Sequence, residues 1–160
     1  MGAGKTTVLG EASDLLCARR VVHAALDLDA LGLLLLPEAQ ASDLHYRNLA
    51  AIFENCRRAG IERFLIAAAI ENGAVLADLR RAFGDATVTV CRLIASLDTM
   101  ADRLRTREVG LRQQEFLERS RTLEAVLAAA GVEDFRVVND RRNVTDVARE
   151  LLTRAGWIDS

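Results

Sequence analysis

The chain has 160 residues, 51% of them hydrophobic, with 21 lysines and arginines against 23 aspartates and glutamates and a formal net charge of −2. That length and apolar share suffice for one domain with its own core, and the balanced, evenly spread charge excludes the basic face that holds a long nucleic acid. A membrane span is excluded as well, because the greasiest run, residues 31–36, stops at Pro37 and is far too short to cross a bilayer.

All basic residues but one are arginines, and the single lysine is Lys5, within Met1-Gly2-Ala3-Gly4-Lys5-Thr6-Thr7. A phosphate wrapped by backbone amides calls for a compact ammonium on a flexible stem, which arginine's planar fork does not supply. Gly4-Lys5-Thr6 therefore reads as the second half of the phosphate-loop pattern G-x-x-x-x-G-K-[ST]. In that pattern glycines let the backbone curl around phosphates, the lysine reaches the outer ones and the hydroxyl holds magnesium. The first glycine would fall two residues before Met1. Met1-Gly2 with Thr6 also matches the myristoylation pattern, a coincidence if the same residues form a phosphate loop.

From Thr6 to Arg20, Val8, Leu9, Ala12, Leu15 and Leu16 recur at helical spacing, so the loop opens directly into a helix whose N-terminus favours anions. Residues 21–27 form an apolar run ending in Asp27-Leu28-Asp29, as expected of a buried parallel strand. A second helix is predicted from about Ser42, a cap candidate, to Gly60, with Leu49, Ile52, Phe53 and Cys56 on one face. Residues 63–70 make a second buried strand, ended by Glu71-Asn72-Gly73. A short helix over 74–83 leads to a third strand over 87–94. Arginine-rich helices over 97–108 and 111–130, a strand over 135–138 and a helix over 144–154 complete the chain. The alternation predicts one α/β domain over 1–160, three layers with a parallel sheet. Cys17, Cys56 and Cys91 are odd in number, far apart and set among apolar residues, which reads as buried free thiols. With no secretory leader pattern, they point to a reducing, cytoplasmic compartment.

Asp27 and Asp29 stand at the carboxyl end of a strand, the edge where open α/β sheets bind ligands. Such a pair can hold a magnesium-bound water and take a proton from a hydroxyl, or simply cap a strand end. His23, within an apolar strand, reads as a hydrogen-bonded core residue, and Arg47 and Arg57 read as surface charge or as acceptor-side cations.

Gly-Ala-Gly-Lys-Thr-Thr entering a helix, a strand ending in Asp-Leu-Asp, a strand ending near Glu71 and an Arg103-x-Arg105-x-Arg107 segment follow one another over nearly the whole chain. This order resembles the small-molecule kinase branch of the P-loop nucleoside triphosphatases, the group of shikimate, gluconate and adenylylsulfate kinases. The resemblance implies an ATP- and Mg2+-dependent phosphotransferase acting on a small hydroxylated acceptor. A nucleotide-hydrolysing switch and an inactive remnant are the alternatives. Gly2, Ala3, Gly4, Lys5, Thr6 and Thr7 would bind the nucleotide phosphates, and Asn139, in the loop with Asp140 and Arg141, would lie near the base. Thr6, Asp27 and Glu71 would serve the metal. Asp29 would face the acceptor, and Lys5, Arg103 and Arg107, with Arg112 behind them, would stabilise the transferring phosphoryl group from a lid over about 97–115. The family's central strand, which runs straight into the phosphate loop, has no counterpart in these residues. The expectation is that the natural start lies upstream of Met1 or that the sequence is a fragment, since without that strand two inner strands become edges.

Overall fold

A computed structural model describes residues 2–30, 38–107 and 111–159, and the side chains of all these except 38–43, 107 and 111–117. The leucine run at 31–36, and the side chains of Arg107 and Arg112, lie outside the described residues. Among the described residues the α-helices are α1 (Lys5–Ala18), α2 (Glu38–Arg58), α3 (Gly73–Ala82), α4 (Leu97–Arg107), α5 (Leu111–Ala130) and α6 (Val144–Arg154). The strands described there are β1 (Ala24–Asp27), β2 (Phe64–Ala67), β3 (Cys91–Ile94) and β4 (Phe135–Val138). A one-turn 3₁₀ segment, Leu28–Ala30, follows β1.

The helices follow from their apolar stripes and caps. Val8, Ala12 and Leu16, four residues apart, are the buried face of α1, and Val147, Ala148 and Leu152 that of α6. Asn72 caps α3 by accepting from the amides of Ala74 and Val75 at 2.9 and 3.0 Å, and Asn143 caps α6 through the amide of Thr145 at 2.8 Å. Two details differ from expectation. Helix α2 starts at Glu38, so Ser42 lies within it rather than at its cap. Cys17 is exposed, because it follows Leu16 around the helix and turns away from the buried stripe; Cys56 and Cys91 are half-buried, and all three thiols are free.

All pairing is parallel, but the strands form two separate sheets among the described residues. β1 pairs with β2, from Ala24 opposite Phe64 to Asp27 opposite Ala67, and β3 pairs with β4, from Cys91 opposite Phe135 to Ile94 opposite Val138. The strands are shorter than the apolar runs of the sequence because a ladder extends only as far as a neighbour faces it, and among the described residues β2 and β3 each have a neighbour on one side alone. One core joins α1 and α6 to the sheets through Val8, Leu16, Leu65, Val137 and Leu152. A second packs Leu49, Phe53, Leu79 and Phe83 of the α2–α3 layer against Leu26, Phe64 and Ile66. Helices α1 and α6 are tied further by a 2.6 Å hydrogen bond from the Thr145 hydroxyl to Glu11. None of the helices described is long and apolar enough to cross a membrane.

Candidate functional site

The segments that follow β1 and β4 and the amino end of α1 border a cavity of about 330 Å³ lined by Gly2 to Thr7, Asp29, Arg103, Asn139 and Arg142. Gly4 is the N-cap of α1 and carries no capping side chain, so the first amides of the helix remain available to an anion. Its φ of 92° is left-handed, and a Cβ there would collide with the Asn139 amide nitrogen. Gly2, at φ 78°, passes so close to α4 that a Cβ would lie 2.9 Å from the Met100 carbonyl oxygen. These two positions admit glycine alone without rearrangement, one for its φ and its neighbour, the other for close backbone approach.

Two carboxylates and two loop side chains converge here. The Thr6 hydroxyl donates to Asp27 Oδ2 at 2.6 Å, while Asp27 Oδ1 accepts the amide of Asp29 at 3.0 Å. Lys5 Nζ stands 3.5 Å from Asp29 Oδ2, with side chains 26% and 68% exposed. At that exposure the ion pair contributes little to stability, so its interest is positional: it holds the ammonium over the cavity that α1 faces.

The loop is held from behind by α4 and the end of β4. Asn139, 4% exposed, donates from Nδ2 to the Ala3 carbonyl at 2.7 Å. Arg103 donates to the Asn139 carbonyl at 2.9 Å and to the Gly2 carbonyl at 3.3 Å. The start of α4 is fixed to the loop after β4, because Ser96 donates from its hydroxyl to Asp140 at 2.9 Å and Thr99 Oγ1 lies 3.0 Å from Ser96 Oγ. Hydrogen bonds from Thr99 and Ser96 hold the Asp140 carboxyl below its ordinary range.

The residues singled out in the sequence divide as follows. Gly2, Ala3, Gly4, Lys5, Thr6, Thr7, Asp29, Arg103 and Asn139 share the cavity, and Asp27 adjoins it through Thr6. Glu71 is exposed in the segment between β2 and α3 and does not line the cavity. Arg57 pairs with Asp85 at 2.9 Å on the surface, and His23 is held between Ser13 at 2.8 Å and the Val21 carbonyl at 2.9 Å. Arg142 was missed. It lines the cavity while donating to the Val138 carbonyl at 3.0 Å and to Glu150 at 2.7 Å, and its place three residues after Asn139 was the only available signal.

The donor set fits a magnesium–phosphate group. A hydroxyl and a carboxylate 2.6 Å apart are hard oxygen ligands, the uncapped amides suit phosphate, and no group of three or more His, Cys, Asp or Glu side chains among the described residues forms a self-sufficient metal cage. Magnesium would thus complete its shell with water and phosphate oxygens, its usual manner of binding.

No protein-family model matches the sequence, and no curated protein is similar to it. The solved structure of an unliganded sugar kinase from Janibacter sp. HTCC2649 superposes with a TM-score of 0.66 and 20% sequence identity, covering 98% of this chain and 90% of that one. The likeness is one of fold: an α/β protein with parallel strands.

Proposed function

We propose that the chain binds MgATP and transfers its γ-phosphoryl group to a small hydroxylated acceptor. The observation that carries this reading is the convergence of Lys5, Thr6, Asp27 and the uncapped amides of α1 on one cavity at the carboxyl ends of parallel strands. Lys5 and the amides would neutralise the outer phosphates, and Thr6 with Asp27 would hold magnesium, which supplies charge compensation on the bridging oxygens. Asp29 would orient the acceptor hydroxyl and take its proton, with Lys5, 3.5 Å from that carboxylate, shared between it and the phosphates. Arg103 serves the loop backbone in this structure, so its contribution would be to fix the phosphate cradle.

The test is ATP binding by Lys5→Ala. Loss of most of the affinity with an unchanged thermal midpoint is expected, and unchanged affinity refutes the site. Phosphate release that requires an added hydroxylated metabolite identifies transfer, whereas release from ATP and water alone would replace transfer by hydrolysis.

A further inference from the structure

Strand β4 pairs with β3 alone among the described residues, so its other side is a free sheet edge. The ladder settles which backbone groups lie there. The amides of Phe135 and Asn139 donate toward β3, to the carbonyls of Val90 at 3.3 Å and Ile94 at 2.7 Å. Alternation along the strand then turns the N–H and C=O groups of Arg136 and Val138 to the free side. Both outward carbonyls are occupied, each by an arginine: Arg142 donates to the Val138 carbonyl at 3.0 Å and Arg154 to the Arg136 carbonyl. One carboxylate ties the two guanidiniums together. Glu150 of α6 accepts from Arg142 on Oε2 at 2.7 Å and stands 3.6 Å from Arg154 on Oε1. Arg154 is seated further on the Phe135 ring, with 4.6 Å between its guanidinium carbon and the ring centroid. These side chains are 34% to 44% exposed, so their ion pairs add little to stability. Their consequence lies in their position. A bare edge offers its N–H and C=O groups to another chain, and Val138, 50% exposed, would add an apolar contact to such a pairing. A strand arriving at β4 must first displace both guanidiniums and then bury charge beside its own backbone.

We infer that Arg142, Glu150 and Arg154 form an edge guard: a carboxylate-linked pair of arginines that closes β4 to strand addition by a second copy of this chain. A second copy is the partner excluded because the bare edge is self-complementary. Two β4 strands related by a two-fold axis through Val137 run antiparallel, with Arg136 of one copy opposite Val138 of the other. Each facing pair then exchanges both of its N–H···O=C bonds. The guard works by occupying the carbonyl half of that pattern. This inference concerns β4 and α6 and does not rest on the nucleotide reading.

Arg142 also borders the cavity, so the test leaves it in place and combines Glu150→Ala with Arg154→Ala in the full chain. The second substitution strips the Arg136 carbonyl, and the first removes the carboxylate that holds Arg142 on the Val138 carbonyl. Light scattering is expected to show a mass rising toward twice the wild-type value by about 1 mM chain, the range in which a few hydrogen bonds sustain association. Over the same range the amides of Arg136 and Val138 are expected to exchange about tenfold more slowly than in dilute solution. A third substitution, Val138→Pro, deletes an outward amide while leaving the β3–β4 ladder intact, and is expected to return the mass to the wild-type value. Arg154→Ala alone is measured beside the double variant, so that a folding defect in the latter, seen in thermal melts, does not end the test; it is expected to associate at higher concentration. A mass that stays at the wild-type value in whichever of these variants fold overturns the inference. Association that persists with Val138→Pro, or that leaves the Arg136 and Val138 amides unprotected, overturns it as well, because another surface would then be responsible.

Discussion

Replacing Asn139 by alanine removes one hydrogen bond, from Nδ2 to the Ala3 carbonyl at 2.7 Å, at a residue 4% exposed to solvent. The Ala3 carbonyl belongs to the cradle, so the loss falls on the geometry of the phosphate loop more than on the core. A buried bond of this kind contributes about 1–1.5 kcal/mol, and somewhat more when a partner is left unsatisfied. Because Ala3 borders an open cavity where water can replace the amide, the lower end applies to stability. If the whole of about 1.4 kcal/mol is expressed in loop order, the Kd for ATP rises about tenfold. Asn139→Asp is the sharper variant: it places a carboxylate against a carbonyl oxygen, substituting repulsion for the bond and adding negative charge where phosphate binds, so its affinity falls further. Calorimetric titration with MgATP, alongside thermal melts, separates binding from folding. Equal affinities in wild type, Asn139→Ala and Asn139→Asp would refute the view that Asn139 positions the loop.

Gly4→Ala is expected to cost more than tenfold in ATP affinity, because a side chain at φ 92° is strained by about 1–2 kcal/mol and its Cβ meets the Asn139 amide; near-normal titration would show that the loop rearranges freely. Leu152→Ala, at a fully buried position on α6, is expected to destabilise by about 2–5 kcal/mol and lower the melting midpoint by roughly 5–15 °C while leaving ATP affinity in the folded protein unchanged. Burial pushes the Cys91 thiol up to about 12 from 9.0, so the folded state favours the neutral thiol. Its contribution is complete below about pH 9 and disappears as pH rises toward 12. Denaturant melts should show an alkaline decline that is shallower in Cys91→Ala, and at pH 8 alkylation should modify exposed Cys17 well before Cys91; identical alkaline profiles or equal labelling would contradict this.

Much of the architecture could be read locally. Val8, Ala12 and Leu16 announce α1 by spacing, and the alternation of apolar runs with amphipathic stretches announces parallel α/β layers, because periodicity is a property of neighbouring residues. That Gly4, Lys5 and Thr6 stand together at the start of α1 was legible for the same reason, the three being consecutive. Residues that act through long-range register were not. Asp27 against Thr6, Arg103 against Gly2 and Asn139, and Ser96 against Asp140 are separated by 21, 101, 36 and 44 positions, and only the packing of α4 and the strand ends decides which polar atoms meet. Arg103 shows the consequence: an arginine in an Arg-x-Arg-x-Arg run suits a mobile lid by composition, yet its guanidinium is committed to two backbone carbonyls of the loop. Glu71 shows the converse, a carboxylate after a strand that the fold leaves exposed and outside the cavity lining. The sequence by itself determined the order of elements and the parallel class, since these depend on local propensity and spacing; the tertiary structure alone decided the clamp that Asn139 and Arg103 make on residues 2–3, since it arises where groups distant in the chain are brought face to face.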